Sequence, residues 1–225
     1  MKVRLLHGRG LLLAVVVLVM FLISTTQGAI SYSVGRGPLR ELVPSHLPMI
    51  LAALYVARIA LLTLLVLLWV LNRKRALFHA VIVANAFFTL KLLLDTTALM
   101  GVLGGFRQAA LAMLIDAALM SLSNILIFSI WYWIIDPPGV EHEEHTERPW
   151  AFLFPQRGSP LPHYEGWLPR YADYLFIAFT TNFAFSPTDA LPLTRAAKML
   201  MLLQAAISVV IVLGIAGGAI NALVG

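Results

Sequence analysis

Five runs of apolar residues, each long enough to cross a lipid bilayer, decide most of what this chain can become. They extend from about Leu11 to Ile30, Leu47 to Leu71, Ala76 to Leu103, Ala109 to Ile135 and Ala196 to Leu223. A helix needs about 20 predominantly apolar residues to span the hydrocarbon core. In that medium each backbone N–H and C=O must be satisfied within its own segment, so a helix is the natural solution. The expected fold is an all-α integral membrane protein with about five transmembrane helices. Composition agrees, with 60% hydrophobic and only 12% charged residues, where a soluble domain carries about 25% charged residues. There is no cysteine, which excludes disulfides, thiol catalysis and cysteine-based metal sites. The net charge of +5 does not point to nucleic acid, because the basic residues cluster at the ends of the apolar runs. Membrane topology places them there, and a phosphate-binding face does not.

The basic residues also orient the chain. Lys2, Arg4 and Arg9 precede the first run, and Arg73, Lys74 and Arg75 separate the second from the third. With two crossings between them, both groups lie on one side, expected to be the cytoplasm. Trp69 and the run Trp131, Tyr132, Trp133 are expected as interfacial anchors. The first run also has the basic start and apolar core of a signal peptide. Its small-residue cleavage pattern is poor, since Gln27 stands two residues before Ala29, and a retained helix is the preferred reading. Three regions follow: a four-helix membrane region (1–135), a proline-rich interfacial loop (136–170) and a C-terminal region (171–225). Seven of the twelve prolines fall between Pro137 and Pro169, so no helix persists there. Trp150, Phe152, Phe154 and Trp167 are expected to hold that loop along the membrane surface.

Arg58, Lys91, Asp95 and Asp116 are charged residues inside the apolar runs. A charge at the centre of a membrane helix costs roughly 2.5–3.5 kcal/mol on insertion scales. Counted from the non-cytoplasmic ends, Arg58 lies about 15 Å deep, Lys91 about 20 Å, Asp95 about 13 Å and Asp116 about 10 Å. The expectation is one charge-neutral layer, with Asn85 and Asn124 as possible extensions. Lys91 and Asp95 are i,i+4 neighbours and can touch on one helix face. Such a network is either a proton or ion relay, a charge-balanced substrate pocket, or a structural set of ion pairs that fixes helix register.

The segment Tyr174 to Lys198 is the most specific signal. A short aromatic helix is followed by Asn182-Phe-Ala-Phe-Ser-Pro-Thr-Asp189, and Thr194 can cap the last helix. A short helix, an irregular polar segment and a full helix describe a re-entrant, pore-like hairpin, or a surface helix with a helix-entry turn. The expected ion-path residues are Thr180, Thr181, Asn182, Thr188 and Asp189, with Asp189 attracting a cation at the mouth. Tyr174–Leu223 resembles the pore region of tetrameric potassium channels at Thr180, Thr181, Asp189, Pro192 and Thr194. The centre departs from it, because a potassium filter is Thr-Val-Gly-Tyr-Gly and this segment has no glycine. The run Ala184-Phe-Ser-Pro-Thr-Asp189-x-x-Pro192-Leu193-x-x-x-Ala197-Lys198 is similar to that of an uncharacterised family of bacterial integral membrane proteins with a domain of unknown function. The Trp131–Asp136 segment and the Phe154-Pro155 step share that likeness. It implies a multi-pass protein of the bacterial inner membrane with a pore-like hairpin and no demonstrated activity.

Two weaker signals complete the pattern. His142 and His145, in Glu-His-Glu-Glu-His, have zinc-ligand chemistry, but a solvated acidic loop is the plainer reading. Gly214 and Gly218 form a small-xxx-small pair that allows close helix packing or oligomerisation. No nucleophile triad, P-loop or dinucleotide fingerprint occurs, so an enzyme and a cofactor are not expected. The expected function is ion-channel-like or permease-like movement of a small cation or protons, in a homo-oligomer (tetramer or dimer) embedded in the lipid bilayer. The alternative is a non-transporting scaffold or sensor whose loop binds a partner.

Overall fold

A computed structural model describes residues 2–35, 39, 47–101, 106–136, 150–157, 159, 161–184 and 190–224. Its helices are α1 (Lys2–Gly35), α2 (Leu47–Val70), α3 (Lys74–Gly101), α4 (Phe106–Ile135), α5 (Tyr171–Ala184), α6 (Arg195–Val209) and α7 (Gly217–Val224). Two short strands, β1 (Phe152–Leu153) and β2 (Leu191–Pro192), accompany them. Five helical stretches are long and apolar enough to cross a membrane: Ala14–Val34, Ala52–Val70, Lys74–Gly101, Ala109–Ile135 and Arg195–Val224. The protein is an all-α, multi-pass membrane protein. The 14 residues of α5 rise only about 21 Å, short of the roughly 30 Å hydrocarbon core.

The chain divides into two compact units, one from Met1–Ser123 with Val209–Gly225, the other Asn124–Ser208. Both boundaries fall inside helices. The boundaries expected at 135/136 and 170/171 lie within the second unit.

In the first unit, α2 and α3 form a hairpin closed by Asn72, whose φ of 53° is a left-handed conformation that asparagine tolerates better than most residues. The turn is so tight that Lys74 and Arg75 already belong to α3. Helix α2 buries little: among its described side chains Arg58 and Leu65, at i and i+7, are the buried ones, while Met49, Val56, Leu67 and Val70 are exposed. Exposed apolar surface of this kind suits a helix whose solvent is lipid. Helix α3 buries a stripe at i,i+3/i+4 spacing that runs through Ala84, Phe88, Lys91, Asp95 and Leu99. Lys91 and Asp95 therefore point into the unit.

The last crossing departs from the single α-helix the apolar run implies. Residues Val210–Ala216 form a π-helical segment between α6 and α7. A Cβ added to Gly214 would lie 3.0 Å from Met100 Sδ, so the missing side chain admits α3 at that point. Gly214 thus packs within its own chain, and Gly218 is half-buried in α7.

In the second unit, β1 pairs antiparallel with β2, Phe152 opposite Pro192 and Leu153 opposite Leu191. Proline fits this short strand because it need not donate there. Thr194 caps α6, its Oγ1 accepting from Ala197 N at 3.2 Å. Ala151, Phe152 and Phe154 are buried, so this part of the loop is packed into the unit.

Candidate functional site

The intramembrane charges of the first unit are all buried, and their partners fall into two groups. In one group, Arg58 Nη1 donates to Ser24 O at 2.8 Å. The Tyr55 ring faces its guanidinium, with Cζ 4.7 Å from the ring centroid. Gly28 makes the seat: a Cβ there would overlap the guanidinium. Nearby on α1, Gln27 Nε2 donates to Phe88 O at 2.8 Å, and Thr26 Oγ1 meets Ser123 Oγ at 2.7 Å. In the other group, Lys91 Nζ donates to Asp95 Oδ2 at 2.6 Å. Asp116 takes a hydrogen bond from the Ser33 side chain and has Asp95 as its charged neighbour.

The guanidinium of Arg58 sits beside Gly28, and Ser33, which holds Asp116, lies five residues further along α1, about 7.5 Å along its axis. Arg58 and Asp116 form no ion pair, and among the described residues of this unit the ion pair is Lys91–Asp95. Three buried polar atoms here have no hydrogen-bond partner among the described residues: Gln27 Oε1, Arg58 Nε and Asp116 Oδ2.

The second unit holds a different polar cluster, built by α4, α5 and α6. Asn124 Nδ2 donates to Asn182 Oδ1 at 2.9 Å and to Ser208 Oγ at 2.8 Å. Ser208 Oγ donates to Asn182 Oδ1 at 2.7 Å. Gln204 Nε2 donates to Ala178 O at 2.7 Å, and Tyr132 Oη donates to Gln204 Oε1. Asn124 thus joins α5 and α6 and does not extend the charge layer. Tyr132 and Trp133 are buried, and Tyr132 is a core hydrogen-bond donor in place of the expected interfacial anchor. Trp69, in the first unit, is exposed.

Of the expected ion-path residues, Thr180, Thr181 and Asn182 lie inside α5, which continues to Ala184 where an irregular segment was expected. Thr180 Oγ1 donates back to Phe176 O and Ile177 O. Thr181 and Asn182 are buried on the packed face. Asn182 acts here as the hinge pin of three helices. Thr188, Asp189, His142 and His145 lie outside the described residues. Among the described residues no group of three or more histidines and carboxylates stands close enough to hold a metal ion.

The expectations from sequence also missed an anchor at the end of α4. Asp136 Oδ1 accepts from Ala151 N at 2.7 Å, and Oδ2 accepts from Arg157 Nη2 and Tyr174 Oη, both at 2.8 Å. This carboxylate ties loop, β1 and α5 together, and Arg157 is stacked on Trp150 at 4.6 Å. Burial raises the Tyr174 phenol well above its ordinary value, and the Asp136 charge adds to the effect. Burial also pushes Tyr171 up to about 12, against the smaller opposing effect of its bond to Ser129. The available signal was polar residues in otherwise apolar runs, such as Gln27, Gln204 and Ser208. Their partners, mostly backbone carbonyls and distant amides, have no sequence signature. Comparison with protein-family models, with characterised proteins and with solved structures finds no match to this chain.

Proposed function

We propose that this protein is a permease-like carrier of protons in the bacterial inner membrane, with Asp116 as the group that takes up and releases the proton. The observation behind this reading is the state of Asp116: it is 2% exposed, with one carboxylate oxygen lacking any hydrogen-bond partner among the described residues. A carboxylate kept for structure alone is normally paired or fully hydrogen-bonded when buried. An intramembrane carboxyl with an open oxygen, and a second carboxyl as neighbour, has the chemistry of a proton relay. In the transfer step the O–H bond breaks on Asp116 and forms on the Asp95 carboxylate, so the negative charge passes from Asp95 to Asp116, while the Lys91 ammonium beside Asp95 keeps its own proton. Asn182 Nδ2 in the second unit is also buried without a hydrogen-bond partner among the described residues, but the amides and hydroxyls around it do not ionise near neutral pH, which makes that unit the less favoured path.

Proton flux into liposomes carrying the purified protein tests this. Asp116→Asn is expected to abolish flux while the protein still folds, and Asp189→Asn to leave it intact. Flux lost with Asp189→Asn and retained with Asp116→Asn would move the path to the C-terminal hairpin. Absence of proton flux from folded wild type would end the carrier reading.

A further inference from the structure

Arg58 carries a second role, independent of proton carriage. We propose that its guanidinium is the binding site for a small soluble oxyanion, a carboxylate or phosphate group, that enters the first unit. Four observations lead there. The side chain is 8% exposed, deep enough that an unbalanced charge is costly. No carboxylate pairs with it among the described residues, where the ion pairs are Lys91–Asp95 and Arg157–Asp136. Its Nη1 is taken by Ser24 O, but Nε is buried without an acceptor. The seat itself is shaped, because the guanidinium fills the space that a side chain on Gly28 would occupy.

The open Nε is what makes an oxyanion the fitting ligand. Arginine grips a carboxylate or phosphate with two parallel N–H bonds from one edge of its planar fork. A neutral acceptor would satisfy Nε but leave the charge unbalanced. Tyr55 lies over the guanidinium and also hydrogen-bonds it; it is 53% exposed, and its displacement is the step that would free the group for the anion. The oxyanion's source follows from depth. Arg58 is the twelfth of the 24 residues of α2, about 16 Å from one end and about 18 Å from the other, beyond the reach of a lipid headgroup. The ligand is therefore a free small anion.

Binding at equilibrium, read on purified full-length protein in uncharged detergent, tests this apart from any proton flux. Acetate and inorganic phosphate, titrated at constant ionic strength with chloride as the reference, are expected to raise the melting temperature saturably. Arg58→Lys should weaken the response at least about tenfold, because an ammonium lacks the fork. Arg58→Gln should remove it. If Arg58→Gln does not fold, the wild-type Arg58 Nε–H resonance, assigned by its loss in Arg58→Lys, is expected to shift on titration. A wild type that shows no saturable response to either anion would overturn the proposal. So would an equal response in Arg58→Lys and wild type, or a response only to added anionic lipid.

Discussion

At the residue scale, a polar side chain in an apolar helix is legible, but its partner is not. The sequence exposes Arg58, Lys91, Asp95 and Asp116 as anomalies, and all four are buried. Lys91–Asp95 is readable as a pair because i,i+4 geometry is fixed by the helix itself. Arg58 is not readable, because its acceptor is a main-chain carbonyl on another helix and every residue has one. Gly28 shows the same limit: nothing in its neighbours along the chain says that it makes room for a guanidinium. Replacing Gly28 by Ala is expected to lower stability by about 1–3 kcal/mol through overpacking. Gly101→Ala, where an added Cβ meets nothing within 4 Å, should change stability by no more than about 0.5 kcal/mol. Thermal melts of the two variants in detergent compare these outcomes directly. Equal losses would mean that the seat is not filled as described.

At the element scale, the spanning helices are written in their length and apolarity, whereas their irregularities are not. The π segment Val210–Ala216 is an apolar run without proline, and nothing in it marks a change of helix type. Its setting is tertiary, since Gly214 meets Met100 of α3. Helix α5 continues past Thr181 because Asn182, a poor helix former by propensity, has its amide bonded by Asn124 and Ser208. The same element carries two buried phenols, Tyr171 and Tyr174, each more reluctant to ionise than free tyrosine. An unfolded chain releases those protons from about pH 10, whereas folded Tyr171 holds its proton to about 12. The stabilisation is therefore complete below pH 10 and fades as pH rises through 12. Melting temperature should fall across that window, and Tyr171→Phe should flatten the fall. A Tyr171→Phe profile identical to that of wild type would show that this phenol does not contribute.

At the scale of the whole molecule, topology is a matter of counting. Five crossings would put residues 2–9 and Val224 on opposite faces of the membrane, and the basic residues of 2–9 and 73–75 predict that the first of these is the cytoplasmic one. The native chain has no cysteine, so single-cysteine labelling has no background. Arg75→Cys is expected to resist an impermeant thiol reagent applied outside intact cells, and Val224→Cys to react with it. The reverse pattern would invert the orientation, and reaction at both positions would break the count of five.

The sequence by itself determined the solvent, the number and kind of spanning elements, and the identity of the charges that must be handled inside them. These follow from local chemistry: apolar length against bilayer thickness, and the penalty for a charge in hydrocarbon. Only the tertiary structure decided which helix carbonyl receives Arg58, that Ser33 holds Asp116, and that Asn124 and Tyr132 join the Asn182 cluster. Those outcomes depend on contacts between residues from about 30 to more than 80 positions apart, and a one-dimensional pattern does not encode which of many equivalent backbone and amide groups will meet.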